Sequence, residues 1–487
     1  MLRHEYQIIH RCEFCVTLRL DMRKRQEIHN NIKIDGVAAE GKCIARIDNL
    51  VVFVEKTAPG DVIDLLITKK KKNFGEGRPL HFHEYSTLRM EPFCQHFGLC
   101  GGCKWQHLNY ASQLQLKTQQ VIDQLERIAK VPFPPVMPIL AAEQTIYYRN
   151  KLEYTFSNKK WLTREEVNSG AELDRNALGF HLPGRFDKIL DIETCYHQSD
   201  PSNTIRLKLK AFALDHQMAF YDVLEHTGFL RNLIIRISNT NEIMVIVQFA
   251  QNNHESIEQV MTFLKEEFPE ITSLYYVINT KKNDTYADQE LILYFGKPFI
   301  VEKMENLEFR IGPKTFYQTN SAQALRLYSK VREFADLKGH EIVYDLYTGA
   351  GSIANFVASG AKHVIGVEYV PEAIEDAKMN ASVNQIRNTS FIAGDTAEIL
   401  NDEFVETWGK PDVVITDPPR AGMHLNVTQK ILQLEPQKIV YVSCNPATQA
   451  RDVALLNEKY DVMAVQPVDM FPHTQHVENI ILLNRRT

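Results

Sequence analysis

The chain has 487 residues, 44% hydrophobic and 24% charged, a balance that fits an ordinary globular protein of about three domains. No apolar run nears the roughly 20 residues that span a bilayer, and Met1 to Asn30 is too charged for a signal peptide. The expectation is a cytoplasmic protein without membrane attachment, whose eight cysteines are thiols, ligands or catalysts rather than disulfides. A net charge of −6 excludes a protein coated in positive charge. Residues 1–90 nevertheless hold 16 Lys and Arg against 12 Asp and Glu, a balance of +4 that leaves −10 for the remainder. A nucleic-acid partner would have to be held by local patches.

Residues 1–28 show no period and read as a tail, with an incidental Cys12-x-x-Cys15. From residue 29 to 88, short β-runs alternate with turn residues, as in Cys43–Ile47, Leu50–Glu55 and Val62–Lys69. Five such strands in about 60 residues fit a small closed barrel of the oligonucleotide-binding type. The run Lys69–Lys72 concentrates its charge. Residues 89–310 form a mixed central part. Tyr110–Lys130 has a helical period with Leu114, Val121, Leu125 and Ile128 on one side, and the polar stretch Ser157–Asn176 reads as a loop insertion. Residues 311–487 alternate strands (Ile342–Leu346, Val364–Glu368, Val413–Asp417, Ile439–Val442) with helices (Ser352–Ser359, Pro371–Asn384, Ala447–Lys459). Such alternation means a parallel sheet covered on both faces, with ligands at the C-terminal strand ends.

The chemistry-bearing residues fall at those ends. Asp345-Leu-Tyr-Thr-Gly-Ala-Gly351 follows a strand and opens a helix; its glycines permit a sharp turn and close approach of a ligand. Glu368 ends the next strand, placed to grip ribose hydroxyls, and Asp395 ends another. A GxG with two strand-end acids points to an adenosine-containing cofactor, and DxxxGxG resembles S-adenosylmethionine-dependent methyltransferases more than nicotinamide enzymes. Asp417-Pro-Pro-Arg420 closes a further strand; its prolines stiffen the loop behind the carboxylate. By itself it also suits amine methylation.

Ser443-Cys444-Asn445-Pro446 decides between acceptors. Cys444 stands between a strand end and a helix N-terminus, where the helix dipole is expected to lower the thiol pKa. Amine nitrogen needs no activating nucleophile. Carbon 5 of uracil does: a thiolate adding at C6 makes C5 an enolate carbon able to take a methyl group. A base must then remove the C5 proton, and Glu478, in His476-Val-Glu-Asn479 ahead of an apolar run, is the candidate.

The ordered set Phe316-Tyr-Gln318-Thr-Asn320, DLYTGAG, Glu368, Asp395, DPPR, SCNP and HVEN resembles the RNA uracil-5-methyltransferases from about Ile32 to the C-terminus. The resemblance implies Cys444 as nucleophile and Glu478 as proton acceptor. It implies a cofactor site lined by Gln318, Tyr347, Ser352, Glu368 and Asp395 and bordered by Asp417, which also holds the uracil edge, with Phe316 stacking nearby. The chain departs from the family at Thr348, commonly Cys, and at Ser352, frequently Asn.

A second cysteine set is Cys94-x5-Cys100-Gly-Gly-Cys103, with Cys195 downstream. That spacing in a cytosolic protein indicates a metal, and either zinc or an iron–sulfur cluster accepts four thiolates. The pattern is similar to the iron–sulfur branch of the family, which implies a 4Fe–4S cluster with no open iron. The resulting expectation is a monomeric multi-domain α/β protein. It would have a TRAM-like RNA-binding barrel, a central α/β iron–sulfur domain and a Rossmann-like methyltransferase domain. It would act on structured RNA, 23S ribosomal RNA first and transfer RNA as the alternative. The competing reading from another class is an RNA-binding or RNA-folding factor with a vestigial site.

Overall fold

The computed structural model describes residues 27–171 and 173–486; Cys12 and Cys15 lie outside them. Two compact units emerge, one ending at Ser86, the other comprising residues 37–42 and 87 onward.

In the first unit, the strands Glu27–Val37, Cys43–Ile47, Leu50–Val54, Val62–Lys70 and Phe74–Glu84 close into a barrel, the fourth strand lying between the first and the fifth. Alternation of side chains sends Cys43, Ala45, Val52, Val54, Ile63 and Leu65 inward, all 2% exposed or less. Gly77 is required where strands approach: a Cβ there would lie 2.7 Å from Leu65 Cδ1 and 2.9 Å from the Leu66 carbonyl. Of the lysine run, Lys70 pairs with Glu27 at 2.8 Å, Lys69 with Glu76 at 3.5 Å, and Lys71 stands 5.0 Å from the Phe74 ring. These pairs are exposed and worth little.

The second unit holds two seven-stranded sheets. The first runs in the spatial order Leu291–Gly296, Ile271–Ile278, Ile243–Phe249, Leu230–Ile237, Lys151–Ser157, Ala177–Leu182 and Arg185–Asp191. The helices Ser202–Asp215 and His254–Glu267 cover one face, around Ile205, Leu209, Val260 and Leu264. Ile234, Met244, Ile246 and Val277 on the other face share a core with the helix Ser321–Ala335 and the second sheet. Within Ser157–Asn176 the chain forms a short helix, Arg164–Asn168, begun by a Thr163–Glu166 capping box.

The second sheet has the order Thr389–Ala393, His363–Glu368, Ile342–Leu346, Val413–Thr416, Lys438–Ser443, Glu478–Arg485, Tyr460–Val468. The first five strands are parallel, and Glu478–Arg485 runs antiparallel to both its neighbours. Val413 and Ile415 face one core and Val414 the other, so both faces are covered. The order reverses between Ile342–Leu346 and Val413–Thr416, which opens a crevice at their C-terminal ends.

The helix Tyr110–Gln124 continues through one π-turn, Leu125–Ala129. It differs from the expected apolar stripe: Val121 and Leu125 are buried, but Ile128 is 40% exposed, and Gln113 and Lys117 are fully buried instead. These two polar side chains have partners, described below.

Candidate active site

The strand Ile342–Leu346 turns into Tyr347–Gly351 through left-handed backbone at Tyr347 (φ 65°), Gly349 (φ 53°) and Gly351 (φ 75°). At Gly351 a side chain is doubly excluded, since a Cβ would meet Ala377 Cβ at 2.9 Å and the Phe391 ring at 3.0 Å. The Gly349 N–H donates to Glu368 Oε2 (3.2 Å) while Glu368 Oε1 accepts from Val370 N–H (3.0 Å), so the strand-end acid fixes the glycine turn. Asp395 accepts from Ala397 N–H at 2.8 Å and caps its own short helix. Tyr347 lies within electrostatic reach of Asp395 and Glu368; burial, then those charges, push its phenol up to about 12. Thus Tyr347, Glu368 and Asp395 share one rim of the crevice. Asp345 is buried beneath it, accepts from Thr348 Oγ1 at 2.5 Å, and is pushed up to about 7 by burial. The sequence did not point to Tyr328. Buried in the helix Ser321–Ala335, it contacts Ser352 and Gln318 and sits near Asp417 and Asp345, the meeting point of these residues. Its one signal was a tyrosine among the apolar positions of that helix.

The other half of the site follows from strand register. Lys438–Ser443 pairs antiparallel with Glu478–Arg485, with Ser443 opposite Asn479. Continued by one residue, this register sets Cys444 opposite Glu478. Gln449 locks the arrangement: its amide donates to the carbonyls of Tyr441 (2.8 Å) and Asn479 (3.0 Å) and accepts from Asn479 Nδ2 (2.7 Å). The Asp417–Arg420 loop is held from the same helix, Pro446–Leu456. Asn445 Nδ2 donates to the Arg420 carbonyl at 3.0 Å, and Arg451 donates to the carbonyls of Ala421 and Met423, both at 3.1 Å.

Burial dominates the electrostatics. Glu478, 5% exposed, is pushed up to about 8 by burial and then by Asp417, against the pull of Arg420. Asp417 is pushed up to about 7 by burial and by Asp345. The Cys444 thiol goes up to about 12 through burial, then Glu478 and Asp417. This corrects the expected depression by the helix dipole. The helix begins only at Pro446, the Asn445 side chain accepts the Ala447 N–H at 3.2 Å, and two nearby carboxyls oppose a thiolate.

Cys444, Glu478 and Arg420 line one cavity of about 1010 Å³ together with Phe316, which is 70% exposed. The same cavity reaches Cys94, Cys100, Cys103 and Cys195. Burial raises all four thiols, Cys195 to about 11 and Cys103 further. Cys103 Sγ lies 3.0 Å from His197 Nε2, and the Gly102 N–H is 3.5 Å from Cys100 Sγ. His197 was missed by the sequence reading; its signal was the Cys195-x-His197 spacing. Among the described residues no group of three His, Cys, Asp or Glu side chains is arranged to hold a metal ion. The cysteines gather on one wall without forming a metal-binding group there.

The tRNA (uracil-5-)-methyltransferase family model matches residues 237–486, just over half of the chain, and that of the TRAM domain matches residues 29–80. The chain belongs to the RNA uracil-5-methyltransferase family. An RNA methyltransferase of Bacteroides thetaiotaomicron is 55% identical over 454 residues, 92% of this chain and 100% of its own length. One from Chlorobaculum tepidum is 37% identical, covering 96% and 98%. The crystal structure of Pyrococcus abyssi tRNA (uracil-54, C5)-methyltransferase in complex with S-adenosyl-L-homocysteine is 28% identical, with a TM-score of 0.72, and covers 93% of this chain and 99% of that one. The methyltransferase is therefore an S-adenosylmethionine-dependent enzyme acting on RNA uracil.

In this methyltransferase the segment Asp469–Gln475, which delivers Glu478, is anchored by the helix that follows the cysteine motif. Lys117 and Asp469 are both wholly buried and pair at 2.5 Å. Lys117 also donates to the Phe471 carbonyl (3.0 Å), and Tyr110 donates to the other Asp469 oxygen (2.7 Å). His473 N–H donates to Gln113 Oε1 at 2.8 Å, and the His473 carbonyl accepts from Trp105 N–H at 2.9 Å. From the opposite side, Asn320 donates to the Met470 carbonyl and Gln323 to that of Asp469, both at 2.9 Å.

Proposed function

We propose that this protein methylates C5 of a uridine in folded RNA through a covalent bond between Cys444 and C6. The register that sets Cys444 opposite Glu478 at the end of a cavity open to a large substrate carries the reading. S-adenosylmethionine, when bound, supplies the electrophilic methyl group. Gln318, Tyr347, Ser352, Glu368 and Asp395 hold it in the crevice, and Tyr328 orders Gln318 and Ser352 from below. Asp417, between the two halves, orients the uracil edge, and Phe316 stacks on the flipped base. The Cys444 thiol gives up its proton to solvent, Sγ bonds to C6, and the displaced C5–C6 electron pair makes C5 nucleophilic. Once C5 carries the methyl group, Glu478 accepts the C5 proton, the ring double bond re-forms and the thiolate leaves. Large-subunit ribosomal RNA is the first target, on the cysteine pattern. Transfer RNA is the second, on the likeness to the Pyrococcus abyssi enzyme. Mass mapping of 5-methyluridine in both RNAs from cells lacking the gene tests the reading: a site should disappear from one of them, and an unchanged map overturns it.

The pH profile follows from the raised carboxyl. Glu478 is half ionised near pH 8, its ionised fraction growing as the pH approaches that value from below. The expected kcat/KM therefore climbs between pH 6 and about 8 (the range set by that pKa) as the proton is lost. A flat profile there would contradict Glu478 as the base. Stability runs the other way. Glu478, Asp345 and Asp417 have folded-state pKa values above their ordinary ones, so the folded protein binds more protons, and stability falls as pH rises from the ordinary carboxyl range to about 8.

Cys94, Cys100, Cys103 and Cys195 are proposed to hold a 4Fe–4S cluster. An all-sulfur donor set on one cavity wall, Cys195 buried and the other three half-buried, suits a soft metal centre. When bound, the cluster would supply a fixed structural node beside the RNA cavity. Protein purified without oxygen should be brown and carry about four irons per chain; stoichiometric zinc, or no metal, rejects the assignment.

The lysine run is proposed to touch RNA backbone. Replacing Lys69, Lys70, Lys71 and Lys72 together by Ser should weaken RNA binding and flatten its salt dependence, measured by filter binding across KCl concentrations. An unchanged slope returns these lysines to the barrel surface as simple solvated charges.

A further inference from the structure

The wall of the cavity away from Cys444 carries an unfavourable arrangement of charge. Lys151 opens the strand Lys151–Ser157, and its direct cross-strand partner is Arg236. Like charges set opposite each other on neighbouring strands destabilise a sheet. Arg149, two residues before Lys151, adds a third cation to the wall and donates from Nε to the Lys151 carbonyl at 2.9 Å. None of the three makes an ion pair among the described residues. Nor does the Lys151 ammonium make a hydrogen bond among the described residues. Arg236, 7% exposed, spends Nη2 on the Thr315 carbonyl at 2.8 Å and leaves Nε without a partner. Two acids are within electrostatic reach, Glu153 of Lys151 and Glu302 of Arg236, and neither forms an ion pair with the group; burial raises Glu302 to about 7. Burial raises the Glu153 pKa against the pull of Lys151, Asp284 adds to the rise, and Glu153 is itself hydrogen-bonded by Asn232 at 3.5 Å. Asp284 in turn is paired with Arg231 at 3.0 Å.

Three cationic side chains held together in a concave wall repel one another, and an anion that shares them relieves that repulsion. The wall is continuous with the catalytic end, since the Arg149 guanidinium stands 5.8 Å from the Phe471 ring in the segment that leads to Glu478. A guanidinium fork beside an ammonium suits the tetrahedral oxygens of a phosphate. We infer that Arg149, Lys151 and Arg236 form the seat of one RNA phosphodiester, that of a nucleotide flanking the extruded uridine. The inference rests on the RNA reading above for the identity of the anion's carrier.

Lys151→Gln is the informative variant, because no native hydrogen bond is lost with it; Lys151→Arg is its charge-conserving companion. Melting temperatures are compared in chloride and in inorganic phosphate at matched ionic strength, with Lys362→Gln, on an exposed lysine, as the control for loss of one charge. Wild type, Lys362→Gln and Lys151→Arg should gain a phosphate-specific stabilisation that Lys151→Gln lacks, while Lys151→Gln in chloride should melt no lower than wild type. Equal phosphate gain in Lys151→Gln and wild type overturns the seat whatever the methyl assay gives. The second arm follows methyl transfer to RNA from cells lacking the gene. For Lys151→Gln the KM should rise more than kcat falls, and the slope of log kcat/KM against log salt should become shallower by about 1, as for one lost phosphate contact. An unchanged slope overturns the assignment to phosphodiester. A phosphate effect in a protein that methylates no RNA leaves the anion seat standing and rejects the RNA reading.

Discussion

Glu478→Gln should trap the methylated RNA on the enzyme, and Cys444→Ala should bind the same RNA and do nothing to it. The two failures differ because the two groups act at opposite ends of the reaction. Without the Cys444 thiol no bond to C6 forms, so C5 never becomes nucleophilic. Without a carboxylate at 478, addition and methylation both remain available, but the C5 proton has no acceptor and the thiolate cannot be expelled. Gln preserves the size of the side chain in a site only 5% exposed, so packing is kept while basicity is lost. Turnover should fall by about 10²–10⁴-fold, the range for loss of a general base. On a denaturing gel with methyl-labelled donor, a slow band should carry both RNA and label, and the double variant Cys444→Ala/Glu478→Gln should lack it. Normal turnover by Glu478→Gln, or 5-methyluridine made by Cys444→Ala, would sink the covalent mechanism.

Breaking the Lys117–Asp469 pair should give the largest loss of stability. Lys117→Met leaves a carboxylate with no cation in a site closed to water. Removing one partner of a buried pair costs about 3–5 kcal/mol, whereas replacing both by apolar groups of similar volume is often neutral or better. Lys117→Met with Asp469→Leu should therefore recover most of the loss in urea unfolding, because Tyr110 keeps its bond from the Ala142 N–H at 2.7 Å. The pair also holds the segment that carries the base, so Lys117→Met protein that still folds should show a milder form of the trapped-adduct band. A double replacement no more stable than the single one would mean that the pair does not act as a unit.

The donor half of the site was legible in the sequence because a parallel sheet brings successive strand ends together. Asp345, Gly349, Glu368, Asp395 and Asp417 could be placed on one edge by order alone. Fold class was legible for the same reason, as was the barrel from its alternating short runs. What pairs Cys444 with Glu478 is an antiparallel register between strands far apart in the chain, and nothing local encodes it. The thiol pKa is raised, not lowered, because the dipole argument counts only the element the residue touches, while Cys444 is buried first of all and then faces the carboxyls of Glu478 and Asp417 from elsewhere in the sheet. Lys117 was invisible to periodicity: a lysine on an amphipathic helix ordinarily marks the solvent face, and here its partner, Asp469, comes from another part of the fold. The cysteine spacing indicated four sulfur ligands, but their meeting depends on where Cys195 falls, and His197 arrives with it.

The register Ser443↔Asn479 also restricts how this protein can change over generations. The segment Asp469–Gln475 is tied at its start by Lys117, Asn320 and Gln323, and at its end by a strand whose side chains alternate between two faces. Adding or deleting one residue between those ties would turn Glu478 to the opposite face of the sheet and bring a neighbour opposite Cys444. Substitutions within the segment can be absorbed, but changes of length cannot. Descendants of this gene that acquire a different RNA must do so at the barrel and the cavity wall, where loops are free to lengthen. The reacting pair would then be inherited intact.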